Sequence, residues 1–293
     1  MDNLITILTP TYNRSNLLKK LYDSLLSQTN KNFEWLIVDD GSIDDTKTII
    51  EHFIDENLIK IKYIKKENGG KHTALNVGIK EITTKYTFIV DSDDWLTDNA
   101  IQTIIDYDHK CDNEKLCGFS FLRMYPDGKL NVSSGRDKDY IASYNQVRIY
   151  EQRFGDMAEV YKTSILQKYH FPEFDNEKFL GEDIVRIEIG KNYNLLFANC
   201  AIYISDYLPN GLTKNRRKNN ILSCNGAFLR AKTMLSIKLR FKLRCKTIIQ
   251  LIVYGKFCNK SFREISKISH NYFLATVLYI PSNFIFKRWS KIQ

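Results

Sequence analysis

The sequence predicts an α/β protein: a mostly parallel sheet flanked by helices, followed by a basic amphipathic helical region. Three observations predict it. Over residues 4–110, short apolar runs alternate with amphipathic stretches of helical spacing. The residues richest in chemistry stand where those runs end, and open α/β sheets bind ligands beyond the carboxyl ends of their strands. Charge divides the chain: residues 211–293 hold 18 Lys and Arg against one acid, Glu264, a balance of +17. With a net charge of +9, that leaves −8 for residues 1–210. A catalytic domain over 1–210 and a basic tail over 211–293 are therefore expected.

The runs at 4–9, 35–38, 59–64 and 86–90 read as buried strands. Leu17, Leu18, Leu21, Leu25 and Leu26 keep helical spacing after Ser15, as do Ile49, Ile50, Phe53 and Ile54 after Asp44 and Asp45. Further on, 116–125 is strand-like, and Pro126, Asp127 and Gly128 turn it back into 129–132. A helix is expected at 163–169, a loop through Pro172, an acid-led short helix in G-E-D-I-V-R-I-E-I-G, and a strand at 194–203. Past Pro209 and Gly211, the residues Met234, Ile237, Phe241, Cys245, Ile248 and Ile252 mark one face of a helix, with Lys238, Lys242 and Lys246 on another.

Residues 268–286 lack Lys, Arg, Asp and Glu but include His270, Asn271, Pro281, Ser282 and Asn283, a poor match to a spanning helix of roughly 20 apolar residues. Lying in a membrane interface is the expectation, with Lys287, Arg288, Trp289 and Lys291 supplying charge and an amphipathic ring at that boundary. The alternative is a helical subdomain packed on the core or on a partner subunit.

Composition narrows the class further. At 293 residues and 43% hydrophobic content, the chain can bury one large core or two modest ones. Six cysteines, at 111, 117, 200, 224, 245 and 258, form no C-x-x-C pair and no zinc-ligand spacing, so reduced thiols are expected. The start of the chain carries Asp2 and then L-I-T-I-L-T, without the basic opening of a secretory signal. A cytoplasmic protein, peripheral on the inner face of the cell membrane, is the resulting expectation. No G-x-G-x-x-G follows the first strand, which argues against a nicotinamide enzyme. A nucleic-acid-binding module is the competing class for the basic tail. Its aromatics lie within apolar helical stripes and do not form an open stacking platform, so an anionic membrane surface is expected as partner and nucleic acid is not.

The most informative run is Y-T-F-I-V-D-S-D-D at 86–94. Asp91, Asp93 and Asp94 repel one another at a strand end, so a chain that gathers them there has a use for a cation. Hard oxygen donors suit Mg²⁺ or Mn²⁺, ions that keep positions open for water and phosphate. Asp93 or Asp94 could instead cap a helix starting near Leu96.

Five motifs in order, T-P-T-Y-N-R at 9–14, V-D-D-G-S at 38–42, E-N-G-G-K at 67–71, D-S-D-D at 91–94 and G-E-D at 181–183, resemble the signatures of glycosyltransferase family 2. The likeness covers roughly residues 3–210 and implies a Rossmann-like GT-A fold, inverting sugar transfer and Mn²⁺ or Mg²⁺ as cofactor. It implies a nucleotide-diphosphate sugar as donor, UDP-linked, and a place in capsule, exopolysaccharide or lipopolysaccharide synthesis; the membrane-seeking tail makes a lipid-linked glycan the expected acceptor. A protein or a teichoic acid-type polymer is the alternative acceptor.

Site residues follow from the same likeness. Thr9, Pro10, Tyr12 and Arg14 belong to the nucleotide side, Pro10 ending the first strand and the next loop offering a ring to the base. Gly41 allows a tight turn that frees Asp39 or Asp40 for a uracil imide N–H, with Asp40 favoured; an N-cap or Asx turn before the next helix is the other role for Asp39 or Ser42. Gly70 and Lys71 open a helix N-terminus suited to phosphate. Many relatives carry Ala-Arg-Asn where this chain has Ala74, Leu75 and Asn76, which makes Lys71 the nearest substitute for that arginine. The metal motif falls on Asp91, Ser92 and Asp93, with Asp91 also a ribose or metal-water contact and Asp94 able to replace either acid. Asp183 is the implied base for the acceptor hydroxyl, next to Glu182, with satisfaction of the helix dipole as the other role for this pair.

Overall fold

A computed structural model describes residues 4–132, 138–153, 155–206 and 215–291. The tail's first basic run, at 214, therefore begins just outside the described residues. The chain divides into two compact units, Met1–His170 with Asn192–Tyr207, and Phe171–Lys191 with Leu208–Gln293.

The first unit begins with β1 (Ile5–Thr11), α1 (Ser15–Leu26), β2 (Phe33–Asp39), α2 (Thr46–Glu56), β3 (Ile61–Lys65), α3 (Lys71–Glu81) and β4 (Tyr86–Ile89). It continues through β5 (Trp95–Leu96), α4 (Ala100–Tyr107), β6 (Leu116–Met124), β7 (Tyr140–Ala142), β8 (Met157–Lys162), α5 (Thr163–Leu166) and β9 (Asn194–Ile204). One sheet runs β3-β2-β1-β4-β8-β6-β9-β5, with β7 on β9. Its β3-β2-β1-β4 part is wholly parallel, as crossover helices require. Antiparallel β8 then joins β4 to β6. Every residue of β1 and β2 is buried, so both read as continuous apolar runs with no alternation. Leu18, Leu21 and Leu25 of α1 face the core, where Tyr22 stacks on Phe53 of α2 at 4.0 Å between ring centroids.

Pro10 lies inside β1, paired with Val38, and does not end the strand. The ladder explains why it is tolerated. Asp40 donates to the Thr11 carbonyl on the β2 side and Val90 to the Leu8 carbonyl on the β4 side. Residue 10 therefore faces β4, whose pairing has already stopped at Leu8 with Ile89, and the missing N–H has no ladder acceptor to serve. The Pro126-Gly128 turn forms as expected: Tyr125 accepts from Gly128 and donates to the Lys129 carbonyl.

The second unit holds α6 (Asp183–Ile189), α7 (Arg216–Leu222), α8 (Cys224–Leu235), α9 (Phe241–Phe257), α10 (Phe262–Ser269) and α11 (Tyr272–Trp289). Ala227, Phe228, Ala231, Ile248, Leu251, Ile252, Ile265 and Ala275 make its core. The single basic helix expected through 234–252 is two helices, broken after Leu235, where the Ser236 hydroxyl bonds back to Thr233 and Arg240 is extended. The three-to-four spacing runs across the break because spacing records which face is buried, not whether the backbone is continuous. No helix among the described residues is long and apolar enough to cross a membrane.

Gly118 of β6 pairs with Tyr161 of β8 at φ +143°, and a Cβ there would sit 1.9 Å from the Val160 carbonyl oxygen. Backbone cannot yield as a flexible side chain does, and the conformation itself is strained for any L side chain. Gly118→Ala is expected to cost at least about 3 kcal/mol in denaturant unfolding or to abolish folding; a change within about 0.5 kcal/mol would contradict the packing described.

Candidate active site

β4 delivers the carboxylates. The strand ends at Ile89, and residues 91–94 form a turn in which Asp94 donates to the Asp91 carbonyl at 3.1 Å. Asp91 and Asp93 therefore lie in a turn and not in the strand. The turn brings one oxygen each from Asp91, Asp93 and Asp94 within 4.8 Å of one another.

Each acid has its own cation. Lys71 Nζ lies 2.6 Å from Asp91, Arg14 Nη1 3.7 Å from Asp93, and Arg123 Nη1 3.4 Å from Asp94. Lys71 is the first residue of α3, Arg14 precedes α1, and Arg123 comes from β6. Asp94 is the most enclosed, with a side chain 9% exposed. Its Oδ2 accepts the Tyr203 hydroxyl at 2.7 Å, while the Asp91 N–H donates to the same Tyr203 oxygen at 3.0 Å. The Arg123 guanidinium also lies 3.8 Å from the Tyr203 ring centroid. Burial, then the charge of Asp91, pushes the Asp94 carboxyl up to about 7. The same two causes raise Asp93.

These residues fit a divalent cation, because three hard carboxylate oxygens converge and two of the acids are only half-buried. Asp91 and Asp93 are the residues that would hold it. Asp94 already has Oδ2 engaged by Tyr203 and Arg123 and serves to fix the turn. Arg123 and Tyr203 were not singled out from sequence. The available signal was a lone arginine near the end of an otherwise apolar strand, and its meaning appears only when β6, β9 and the 91–94 turn meet.

The other rim residues take defined places. Thr9 is buried and accepts the Trp35 indole N–H at 2.9 Å, whereas Tyr12 is 44% exposed. Asp39 Oδ1 accepts the Ser42 N–H at 2.7 Å and so closes the 39–42 turn, and Oδ2 accepts the Tyr63 hydroxyl. Asp40 is 3% exposed, with Lys66 Nζ and the Gly69 N–H on Oδ1, and Asn68 Nδ2 and the Gly70 N–H on Oδ2. Both oxygens are engaged within the protein, and the two glycines let the 66–70 loop close on this carboxylate. Gly41 takes φ +84°, where a Cβ would lie 2.9 Å from the Asn68 amide nitrogen, so the two loops are in direct apposition. Ser92 is buried.

Glu182 and Asp183 belong to the second unit, at the start of α6. Asp183 is held by Arg230 of α8, whose Nε lies 2.9 and 2.7 Å from its two oxygens and Nη2 2.6 Å from Oδ2. Glu182 pairs with Arg186 at 3.0 Å. Trp95 lies beneath Lys20, whose Nζ is 3.2 Å from the ring centroid, and His72 is buried.

With this geometry in view, a family model described as Glycosyl transferase family 2 matches residues 6–158, just over half of the chain. Among characterised relatives, the chain is 38% identical over 104 residues to glycosyltransferase GlyA of Streptococcus pneumoniae, covering 36% of this chain and 15% of that protein. It is 34% identical over 131 residues to the minor teichoic acid biosynthesis protein GgaA of Bacillus subtilis, covering 43% and 29%. The matches thus span well under two thirds of these relatives. Among solved structures, S. aureus TarS 1-349 in complex with UDP-GlcNAc superposes with a TM-score of 0.62 at 16% identity, covering 97% of this chain and 91% of that one. The mannosyltransferase PcManGT of Pyrobaculum calidifontis, in complex with GDP-Man and Mn²⁺, does so at 0.58 and 15%, covering 98% and 84%. The two likenesses establish the GT-A fold.

Tyr203→Phe removes the one hydroxyl that ties Asp94 to the Asp91 backbone. Stability is expected to fall by about 1–3 kcal/mol in denaturant titration, with weaker Mn²⁺ binding in calorimetry. Unchanged stability and metal affinity would show that the turn holds itself.

Proposed function

The chain belongs to glycosyltransferase family 2, and from that premise we propose that it transfers a sugar, with inversion, from a UDP-linked donor to a hydroxyl of a lipid-linked glycan during assembly of a bacterial surface polysaccharide. The observation that carries this reading is the convergence of Asp91 and Asp93 with Lys71 and Arg14 beyond the carboxyl end of β4. The nucleotide-sugar complexes of fold relatives support it. The GgaA likeness favours a teichoic acid-type polymer as second choice of acceptor. Residues 1–210 would be the transferase domain and 211–293 a membrane-associating tail, on the cytoplasmic face of the membrane.

Roles follow from chemistry. A divalent cation held by Asp91 and Asp93 would neutralise charge gathering on the departing nucleoside diphosphate. Lys71 and Arg14, which balance those acids, supply positive charge for the phosphates. The exposed Tyr12 ring offers a stacking face to the base. A sugar hydroxyl is a poor nucleophile at neutral pH. Asp183 takes its proton as the new bond to the anomeric carbon forms and the bond to the diphosphate breaks, a contribution on the order of 10² to 10⁴ in rate. The Arg230 guanidinium grips both Asp183 oxygens and fixes that carboxylate against α8. The Asp183 role rests on the G-E-D likeness and the Arg230 pair, and Glu182 remains its neighbouring alternative.

Release of UDP from a panel of UDP-sugars with Mn²⁺ tests the reading. Asp93→Ala is expected to abolish metal-dependent release, and retained release with the same metal requirement removes Asp93 as a ligand. Asp183→Asn should leave UDP binding within about twofold while transfer falls by at least roughly 10²; lost binding would assign Asp183 to the donor instead.

A further inference from the structure

Helix α11 carries two apolar faces, and the protein uses one. Ala275 is fully buried, and Leu274, Leu278 and Tyr279 pack against the core of the second unit. On the opposite side Phe273 is 78% exposed, Val277 50%, Ile280 66% and Phe284 72%. Their spacing of four, three and four residues aligns them in a stripe about 17 Å long at 1.5 Å per residue. Lys287, Arg288 and Lys291, all exposed, follow within two turns along the same side. The polar groups nearby are satisfied by the helix itself: the Thr276 hydroxyl donates to the Tyr272 carbonyl and the Ser290 hydroxyl to that of Phe286.

We propose that this α11 stripe is a membrane-docking face, with Phe273, Val277, Ile280 and Phe284 entering the headgroup–acyl boundary of an anionic phospholipid surface and Lys287, Arg288 and Lys291 engaging its phosphates. The proposal deepens the peripheral-membrane reading above and rests on that reading for its link to a lipid-linked acceptor. Charge selects the occupant. Exposed aromatics ending in a run of cations complement an anionic interface. A second copy of the chain would bring its own +17 over 211–293 to the contact. The helix also fails as a membrane span, so it lies along the surface.

Co-sedimentation of the full chain with phosphatidylcholine vesicles, with and without phosphatidylglycerol, decides the matter, with UDP-sugar turnover measured on the same samples. The wild-type chain is expected to pellet with the anionic vesicles, less so as salt rises. Phe273→Ser with Phe284→Ser should lower partitioning roughly a hundredfold. Lys287→Gln, Arg288→Gln and Lys291→Gln together should lower it by about fivefold per charge. Donor turnover in solution stays at the wild-type level in both variants, which also reports that they fold. Equal pelleting of wild type and the double serine variant overturns the proposal. So does a dimer in sedimentation velocity that the serine pair dissolves without any effect of lipid. Absence of donor turnover in every sample sinks the transferase reading instead, and docking is still judged by the pellets.

Discussion

Like-charge repulsion among Asp91, Asp93 and Asp94 is the constraint around which the first unit is arranged. Three carboxylates whose oxygens come within 4.8 Å cannot stand unbalanced at the end of a strand. The fold answers with one cation apiece, each from a different element: Lys71 from α3, Arg14 from the entry to α1, and Arg123 from β6. The three pairs are not equivalent. Asp94 is buried and the Arg123 side chain is only 12% exposed, and with Tyr203 they fix the turn. Lys71 with Asp91 and Arg14 with Asp93 are about 30% exposed, and under the proposed function they would exchange partners on binding a cation and a diphosphate. One pair builds the site, and two are available to work in it.

The loops after β2 and β3 follow a similar pattern. Asp39 and Asp40 are adjacent in sequence and both buried, yet they organise different loops. Asp39 closes the 39–42 turn and receives Tyr63; Asp40 gathers the side chains of Lys66 and Asn68 and the amides of Gly69 and Gly70. Two carboxylates thus hold together the loops after β2 and β3. Those loops in turn start α3 at Lys71, and so place its ammonium beside Asp91. A buried carboxylate with several donors is a strong organiser because leaving any of those groups unpaired would cost about 1–3 kcal/mol.

The parts of this arrangement legible in the sequence were those encoded by neighbours along the chain. Continuous burial of β1 and β2, helical spacing in α1 and α2, and the Pro126-Gly128 turn are local patterns, and each forms where expected. The gathering of acids at 91–94 was legible for the same reason. Contacts made by distant residues were not. Arg123 and Tyr203 stand 80 positions apart by number and meet only because β6 pairs with β9. Pro10 looked like a strand end until the ladder showed which side it faces. The break after Leu235 was hidden because the apolar spacing continues through it, and the unused face of α11 became visible only once Ala275 and Leu278 were seen to supply the packed one.

If the β4-end carboxylates bind a nucleoside diphosphate through a divalent cation, affinity for UDP depends on that cation. Calorimetric titration of UDP into the full chain, with Mn²⁺ and again with excess chelator, tests it most directly. The account predicts binding at least about tenfold tighter with Mn²⁺, a difference of 1.4 kcal/mol or more. Equal affinity in the two titrations would contradict it.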